Sequence, residues 1–427
     1  MSIFTSLWIG TSGLEAHGDA LSVVGDNIAN ASTFGHRASR AGFAEVLGGT
    51  APQGQRLGAG VRFEGTQTLF GQGALVQTGV DLDMAVRGDG FFVVKGNHGG
   101  VDASYYTRDG RFRLDQDGYI VNPSGLRLQG YPIDPTGQVA AAVGDLQLAG
   151  QSAPVATTIA NLAVNLDATS TTPPPWDPAD PTGTSNYATS TTIYDSLGNA
   201  HRADVYFRSS GGGAWEWHAL VDGGELTGGT PGTPTEIASG NLTFTASGAL
   251  DTEATVASSA DFIGATPGQA ITFDFGDAIT TDGGTGLAGS TQYASASNVL
   301  ALSQDGYGAG ALVDLSIADD GTITGVYSNG QTRGVAQVAL ALFTSDEGLR
   351  RAGDQLFAET STSGAALVAG AASGGRGAVS GGALERSNVD LGTELVNMIA
   401  YQRAFSANAK TVTTADEMLA EVTNLKR

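Results

Sequence analysis

Cysteine is absent from the 427 residues of this chain. Disulfide bridges, thiolate metal sites and cysteine nucleophiles are therefore excluded. The sequence also has no run of about eighteen apolar residues, so we expect no transmembrane helix. Its first twenty residues, MSIFTSLWIGTSGLEAHGDA, have neither a basic leading segment nor a clean apolar stretch. We therefore expect no cleaved secretory signal.

Basic residues are scarce. The chain has 21 Lys+Arg against 43 Asp+Glu, which gives a formal net charge of -22. Nucleic-acid binding depends on Lys and Arg that neutralise phosphates, and anionic membranes attract the same residues. We therefore expect neither nucleic acid nor membrane as a partner, and the acidity itself serves solubility and repulsion between folded surfaces.

Sequence motifs for chemistry are equally sparse. The five histidines are scattered and none pairs at i, i+4, so a zinc site is not supported. Neither a G-x-S-x-G elbow nor a phosphate-binding G-x-x-x-x-G-K-[ST] loop is present. Asp115-Gln116-Asp117-Gly118 begins like a calcium loop, but Tyr119 and Ile120 follow where that loop needs a ligand and a glycine, which favours a hairpin turn. We predict a protein that is not an enzyme and holds no cofactor or metal.

Three tryptophans are the candidates for a sugar-binding surface. Trp215 and Trp217 share one face of a strand by the two-residue period, and Trp176 lies in a proline-rich stretch. Packing inside a sheet is the more common use of such residues, and we predict it here.

Apolar residues at seven-residue spacing mark both ends of the chain. This spacing predicts helices that bury a stripe against other helices, over residues 3–30 and from about 390 to 425. Ser387 and Asp390 form a candidate capping box for the second helix. We predict that these helices assemble through Leu7, Leu14, Leu21, Val24 and Ile28 near the start and through Leu391, Leu395, Met398, Phe405, Val412, Leu419 and Val422 near the end.

Glycines interrupt the first predicted helix. Gly10, Gly13, Gly18 and Gly25 each weaken an isolated helix by ~1 kcal/mol relative to alanine. This helix therefore needs neighbours, and its small residues would let their backbones approach closely.

The body between the helices has β character. Glycine accounts for 63 residues, many in Asp-Gly pairs that favour tight hairpin turns. Residues 81–133 predict a meander of short strands, β patterning returns at 300–357, and residues 31–75 and 363–383 show no dominant pattern. Residues 151–290 hold fifteen Asp+Glu and two Arg, a local charge of 2 − 15 = −13, which predicts a separate, solvent-facing β domain.

Motifs near both ends resemble those of bacterial flagellar rod and hook proteins. Gly25–Gly35 (GDNIANASTFG) is similar to the N-terminal family signature, although Asp26 stands where Asn is more frequent. Leu384–Leu391 (LERSNVDL) and Glu394–Ile399 (ELVNMI) are similar to the C-terminal signature. Ile193–His201 (IYDSLGNAH) resembles the middle domain of the hook protein. The resemblance covers essentially the whole chain and adds Asn27 and Asn30 to the predicted assembly residues.

The resemblance implies a structural subunit that polymerises. It implies a mainly β fold with several nested β domains of barrel or sandwich type, and N- and C-terminal helices that form a coiled-coil-like assembly domain. The implied domains are a helical inner tube (1–30 with 385–427), a connector (31–75 with 358–384), a β-rich middle domain (76–146 with 285–357) and an inserted acidic outer domain (147–284).

The inserted domain implies a hook subunit. Such subunits form a curved hollow tube that acts as a universal joint, carrying motor torque from rod to filament outside the cell. Implied partners are further copies, the distal rod protein, the hook–filament junction protein, the hook cap and the type III export apparatus, with no cleaved signal. We expect glycine-rich residues 363–383 and the turn at 32–35 to absorb bending strain. The alternatives are a distal rod protein and, in another class, a secreted β-rich adhesin or glycan-active protein.

Overall fold

The structure, a computed structural model, describes residues 3–50, 56–134 and 137–424. Within them the chain forms two units, one made of Met1–Ala149, Val313–Val326 and Thr332–Arg427, the other of Gly150–Leu312 and Tyr327–Gln331. We call them the terminal unit and the inserted unit. The expected mainly β fold with terminal helices is confirmed.

The helices are α1 (Ile3–Ala29), α2 (Ile279–Asp282) and α3 (Leu391–Asn424). The strands, in chain order, are β1 (Ser39–Thr50), β2 (Arg56–Thr68), β3 (Leu75–Gln77), β4 (Met84–Arg87), β5 (Phe91–His98), β6 (Val101–Thr107), β7 (Arg113–Leu114), β8 (Ile120–Val121), β9 (Arg127–Pro132), β10 (Gly144–Asp145), β11 (Gln151–Ser152), β12 (Ile159–Asn165), β13 (Tyr187–Tyr194), β14 (Ala200–Gly211), β15 (Ala214–Asp222), β16 (Pro234–Phe244), β17 (Leu250–Ser258), β18 (Thr272–Asp274), β19 (Asn298–Gln304), β20 (Gly310–Ile317), β21 (Thr322–Tyr327), β22 (Thr332–Leu342), β23 (Arg350–Gly353), β24 (Leu356–Ala358), β25 (Leu367–Gly370), β26 (Ala378–Gly381) and β27 (Ala383–Glu385).

Both long helices lie where the apolar spacing predicts them, but the cap of α3 differs. Asp390 is the residue before the helix, and its Oδ1 accepts hydrogen bonds from the backbone N–H of Gly392 at 2.8 Å and Thr393 at 3.3 Å. Those are two of the donors that a helix N-terminus leaves unpaired. The predicted Ser387–Asp390 capping box is therefore wrong, because Asp390 itself occupies the cap position.

A long antiparallel hairpin of β1 and β2 follows α1, where the sequence shows no dominant pattern. Its pairing shifts register at three places, between Gly42 and Phe43, between Glu45 and Leu47, and between Leu47 and Thr50. Such bulges break the two-residue alternation by which strands are predicted.

The main sheet of the terminal unit includes the strand order β21-β22-β9-β5-β6-β24-β23. β5 alternates between two buried faces: Phe92 and Val94 pack in one apolar cluster, while Phe91 and Val93 pack in another. A strand covered on both faces has consecutive apolar residues, as β5 does. The predicted turn at Asp115 is confirmed, since its Oδ1 accepts from the N–H of Asp117 and Tyr119.

Residues 363–383, which show no dominant pattern in the sequence, contain strands. β25 pairs with β22, and β26 pairs with β4. Between them, the Arg376 guanidinium donates to the carbonyls of Leu340 at 2.9 Å and Leu367 at 2.6 Å. Glycine and alanine hid these strands because their small side chains carry little β preference.

The inserted unit combines the antiparallel meander β13-β14-β15-β16-β17 with a smaller sheet β18-β12-β19. Its core contains Trp215 and Trp217, each 1% exposed. The Trp217 ring lies 5.3 Å from Phe273 and 5.1 Å from Phe275, centroid to centroid. The predicted core role of these two tryptophans is confirmed. Trp176 stacks on His218 at 4.0 Å.

Candidate assembly interface

Small residues bring α1 and α3 together. A Cβ atom on Gly10 would lie 2.7 Å from Val412 Cγ2, and one on Gly13 would lie 2.6 Å from the side chain of Asn408. Ala20 is fully buried and Ala415 is 1% exposed. Side chains larger than these would hold the helices apart, so glycine and alanine determine how closely the two backbones pack.

The predicted leucine stripe of α1 lies beside this contact. Leu7, Leu14, Leu21 and Ile28 are all half-buried. At 3.6 residues per turn their stripe is rotated by roughly a quarter turn from the face formed by the small residues. Val24, also predicted, is buried. The periodicity correctly predicts the helix, and the most buried face is the one with the weaker apolar signal.

The predicted residues of α3 divide into two groups. Met398, Val412 and Leu419 are half-buried, whereas Leu391, Leu395, Phe405 and Val422 are 48%, 50%, 40% and 53% exposed. Further large apolar residues of both helices are exposed and were missed by the spacing argument. We define the assembly face as the exposed apolar residues of the terminal helices, namely Phe4, Trp8, Leu391, Leu395, Val396, Ile399, Phe405, Met418 and Val422.

An aromatic cluster fixes the helix pair to the hairpin. His17 of α1, Phe43 of β1 and Tyr401 of α3 meet with ring centroids 5.5 to 6.0 Å apart. Close by, Ser12 Oγ accepts a hydrogen bond from the backbone N–H of Val61 at 3.3 Å. The hairpin thus packs against α1 on a side that α3 does not cover.

Asn27 makes contacts within its own chain. It is fully buried, its Nδ2 donates to Ser39 O at 2.7 Å, and its Oδ1 accepts from Ser39 N at 2.8 Å. Nδ2 also donates to Glu394 Oε1 at 3.1 Å. Asn30 Nδ2 donates locally to Asp26 O and Oδ1. Asn27 therefore joins the end of α1 to β1 and α3, and a role of either asparagine between copies stays a prediction.

Asn388 provides the matching joint before α3. Its Oδ1 accepts from Ala38 N at 2.7 Å, and its Nδ2 donates to Leu69 O at 2.8 Å and Gly71 O at 2.9 Å. One side chain therefore holds the start of β1 and the end of β2 beside α3. No local pattern in the sequence indicates this role, because the partners are about 320 to 350 residues away along the chain.

A buried ion cluster is formed by Arg37, Arg108 and Glu385. We call it the arginine–glutamate node. Arg37 Nη2 lies 2.8 Å from Glu385 Oε1 with both side chains fully buried, and Arg108 Nη1 lies 3.3 Å from Oε2. Glu385 Oε1 also accepts from Gly73 N at 2.7 Å. Burial lowers the pKa of the Arg108 guanidinium below its ordinary value, against the opposing effect of Glu385. A charge cluster of this kind is costly to disrupt from one side.

The turn after α1 is packed against this node. Gly35 has a φ of 68°, and its N–H donates to Glu385 O at 2.8 Å. A Cβ here would also meet the backbone of Arg108 and Asp109. Glycine is needed for both reasons, and the turn has fixed contacts where the sequence predicted a compliant segment.

Two structural features are not found among the residues that the structure describes. Over those ranges, no group of three or more His, Asp or Glu side chains is placed to hold a metal ion. None of the described helices has both the length and the apolar character needed to cross a membrane.

Three family models match the chain. They are the flagellar basal body protein FlaE D2 domain over residues 165–307, the flagellar hook protein FlgE/F/G D1 domain over 85–171, and the flagellar basal body rod FlgEFG protein C-terminal region over 380–425. The last of these contains α3 and the residues of both predicted C-terminal motifs.

Two relatives match over nearly the whole chain. The chain is 36% identical to the flagellar hook protein FlgE of Salmonella typhimurium, over 97% of this chain and 98% of the relative. It is 32% identical to the FlgE of Borreliella burgdorferi over 99% of each. The crystal structure of Helicobacter pylori flagellar hook protein FlgE2 superposes on 71% of this chain and 98% of that chain, with a TM-score of 0.48 and 17% identity.

Proposed function

The chain belongs to the flagellar hook protein FlgE family, and from this premise we propose that its copies polymerise through the assembly face into a curved hollow tube. It is a structural subunit of the bacterial flagellar hook and part of the flagellum outside the cell. The tube acts as a universal joint that transmits motor torque from rod to filament while its direction changes.

The exposed apolar surface of the paired helices carries this proposal. Leu395 and Ile399 lie one turn apart on α3 and are each 50% exposed, while Trp8 of α1 is 67% exposed. Large apolar side chains exposed on a helix pair favour contact with further helices, because each Å² of apolar surface removed from water stabilises the contact by roughly 25 cal/mol. Repeated copies supply those helices. The predicted set Leu7, Leu14, Leu21 and Ile28, half-buried in one chain, completes its burial in the same way.

The domain roles follow from the same arrangement. The paired helices, residues 1–30 and 385–427, form the inner tube, and residues 31–75 with 358–384 connect it to the β body. Residues 76–146 with 313–357 form the middle layer, and the acidic insertion 147–284 faces outward. Residues 285–312 go with the insertion, because their strand β19 pairs with β12 of the inserted unit. Support comes from the close pairing of α1 with α3 and from the negative charge of the insertion, since like-charged surfaces repel when crowded and remain in solvent.

Contacts at the two ends of the tube complete the proposal. The distal rod protein lies below, the hook–filament junction protein lies above, and the hook cap is present during assembly. The type III export apparatus delivers the chain without signal cleavage. The basis is membership of the family.

The alternative functions are less well supported. A distal rod protein would be a stiff axle, whereas the full-length relatives named above are hook proteins. A glycan-binding role would use exposed tryptophans, and Trp215 and Trp217 are both buried in the core of the inserted unit.

Electron microscopy of concentrated protein in a kosmotropic salt tests the proposal. We expect curved hollow tubes from the full chain and from Val256→Asp, a control at an apolar residue of the inserted unit that is 71% exposed. Leu395→Asp with Ile399→Asp, and a chain without residues 1–30 and 390–427, should remain dispersed. Straight tubes from the full chain would favour the rod alternative. Tubes from the double variant would show that copies do not contact each other through the assembly face.

A further inference from the structure

The motif Ile193–His201 contains the loop between β13 and β14, and the structure of this loop depends on Asp195. Asp195 is fully buried, and its Oδ1 accepts from the backbone N–H of Leu197 at 2.9 Å and Asn199 at 2.8 Å. Its Oδ2 accepts from Asn199 Nδ2 at 2.9 Å. Burial alone would raise the pKa of the Asp195 carboxyl, but hydrogen bonds from Asn199, His201 and Leu197 hold it below its ordinary value. Asp195 is therefore an ionised group that only accepts hydrogen bonds.

His201 stands between this carboxylate and a second one. Its Nε2 lies 3.3 Å from Asp195 Oδ2, and its Nδ1 lies 2.7 Å from Glu225 Oε2. The ring stacks on Phe262, with centroids 3.9 Å apart and planes 15° apart. Glu225 ends a short 3-10 helix, Gly223–Glu225. One side chain thus connects the Asp195 loop, this short helix and the segment that carries Phe262.

The two partners of the ring impose a chemical requirement. A neutral imidazole has one N–H and one bare nitrogen, so it donates to one carboxylate only and presents a lone pair to the other. Both hydrogen bonds form together only when the ring carries two protons. Other charged groups lie on the elements packed against the ring. Asp261 Oδ1 accepts from Gly268 N, and Asp222 Oδ1 caps the short helix by accepting from Gly224 N. On the strand of His201 itself, Arg202 and Asp204 pair with each other.

We propose that His201 is a proton-dependent clamp of the inserted unit, closed when both ring nitrogens donate and loosened at Asp195 or Glu225 when one proton leaves. The clamp holds an exposed surface in shape. Glu225 O accepts from Ile263 N at 3.0 Å, and Ser196 Oγ accepts from Thr266 N at 2.8 Å. Leu197 and Ile263, 57% and 59% exposed, flank this contact. Loss of the proton therefore loosens the contact between the loop that carries Leu197 and the segment that carries Ile263.

Hydrogen exchange of the full chain at about pH 6 and about pH 8 measures the clamp directly. Exchange is followed in peptides that cover residues 195–201, 223–227 and 261–266, after correction for the intrinsic pH dependence. Because the closed form needs the proton, protection should be highest at the lower pH and should fall by at least about tenfold at the higher pH. That is the size expected for losing a hydrogen bond to a charged group.

Three variants separate the clamp from a merely structural histidine. Glu225→Gln offers an amide N–H that a bare ring nitrogen can accept, so protection should persist at about pH 8. His201→Gln should show low protection at both pH values. His218→Gln is the matched control, because His218 also stacks on an aromatic ring and contacts a single carboxylate, with Nδ1 2.8 Å from Glu236 Oε2. It should keep the wild-type pH dependence.

Two results would overturn the proposal. One is equal corrected protection of the wild-type peptides at both pH values. The other is a Glu225→Gln variant that loses protection with pH as the wild type does. If His201→Gln does not fold, the wild type and Glu225→Gln still decide the outcome, since neither depends on that variant.

Discussion

Gly13 of α1 lies so near Asn408 of α3 that a methyl group on Gly13 would come within 2.6 Å of the asparagine amide. Asn408 is held in place, because its Nδ2 donates to Ala404 O at 2.9 Å. The backbone of α1 at Gly13 therefore packs directly against a fixed polar side chain of α3. This contact sets the distance between the two helices from which the assembly face is built.

Gly13→Ala should impair assembly although alanine favours helix formation. We expect the added methyl group to push α3 away and to reduce polymerisation at a given protein concentration, measured by sedimentation and electron microscopy. Gly25→Ala is the control, because a Cβ there meets nothing within 4 Å. That variant should gain about 1 kcal/mol of helix stability and assemble normally. Equal assembly of the two variants would show that the close contact at Gly13 has no role.

Glu385→Gln should destabilise the terminal unit by about 3 to 5 kcal/mol, because it removes the charged carboxylate that contacts both Arg37 and Arg108 in the buried node. Urea unfolding of the full chain measures this. The control is Asp319→Asn, which removes a surface ion pair with Arg87 whose side chains are 58% and 73% exposed. It should cost less than about 1 kcal/mol. Similar small effects in both variants would contradict the importance of the node.

Sequence periodicity predicted the terminal helices but not the face on which they pack. Apolar spacing detects Leu7, Leu14, Leu21 and Ile28 because hydrophobic burial is strongest for large side chains. The closest contact uses Gly10 and Gly13, whose contribution is the volume they do not occupy. A pattern of apolar residues cannot distinguish a glycine that permits close approach from one that only weakens a helix.

Local sequence patterns also could not predict the side chains that connect distant segments of the chain. Asn27, Asn388 and Glu385 lie in the motifs that resemble the flagellar family, yet nothing in their spacing shows what they bind. Their partners are backbone groups and arginines distant in sequence, and such pairings depend on the folded topology. The hairpin of β1 and β2 was missed because bulges and glycines remove its alternation. The acidic insertion could be proposed from the sequence because its composition differs over more than a hundred residues.

Glu253→Gln should stabilise the inserted unit at alkaline pH. Burial, together with the charges of Asp274 and Asp282, raises the pKa of the Glu253 carboxyl from 4.5 to about 7, against a hydrogen bond from Phe275 N. The folded chain therefore holds the proton more tightly than the unfolded chain. Stability present below about pH 4.5 is lost as the pH rises to about 7.

The glutamine variant removes this loss and can still accept from Phe275 N. At about pH 8 we expect a gain of about 1 to 2 kcal/mol, a value reduced for the partial exposure of the carboxyl to solvent. At about pH 4 the variant and the wild type should melt together, which serves as the control. Thermal unfolding of the full chain at both pH values makes the comparison. A constant difference across the pH range would mean that a cause other than ionisation acts.

The glycine pair at 374 and 375 tests where bending strain is absorbed. Gly374 and Gly375 have φ values of 56° and 84°, and Arg376 beside them donates to the carbonyls of Leu340 and Leu367. A turn held by these hydrogen bonds changes shape with difficulty, so its glycines are there to adopt the positive φ angles of the turn. Gly375→Ala should therefore cost about 1 kcal/mol of stability, the penalty of a left-handed backbone for a residue with a Cβ, and leave tube curvature unchanged. Straight tubes from this variant would instead show that the turn changes conformation as the tube bends.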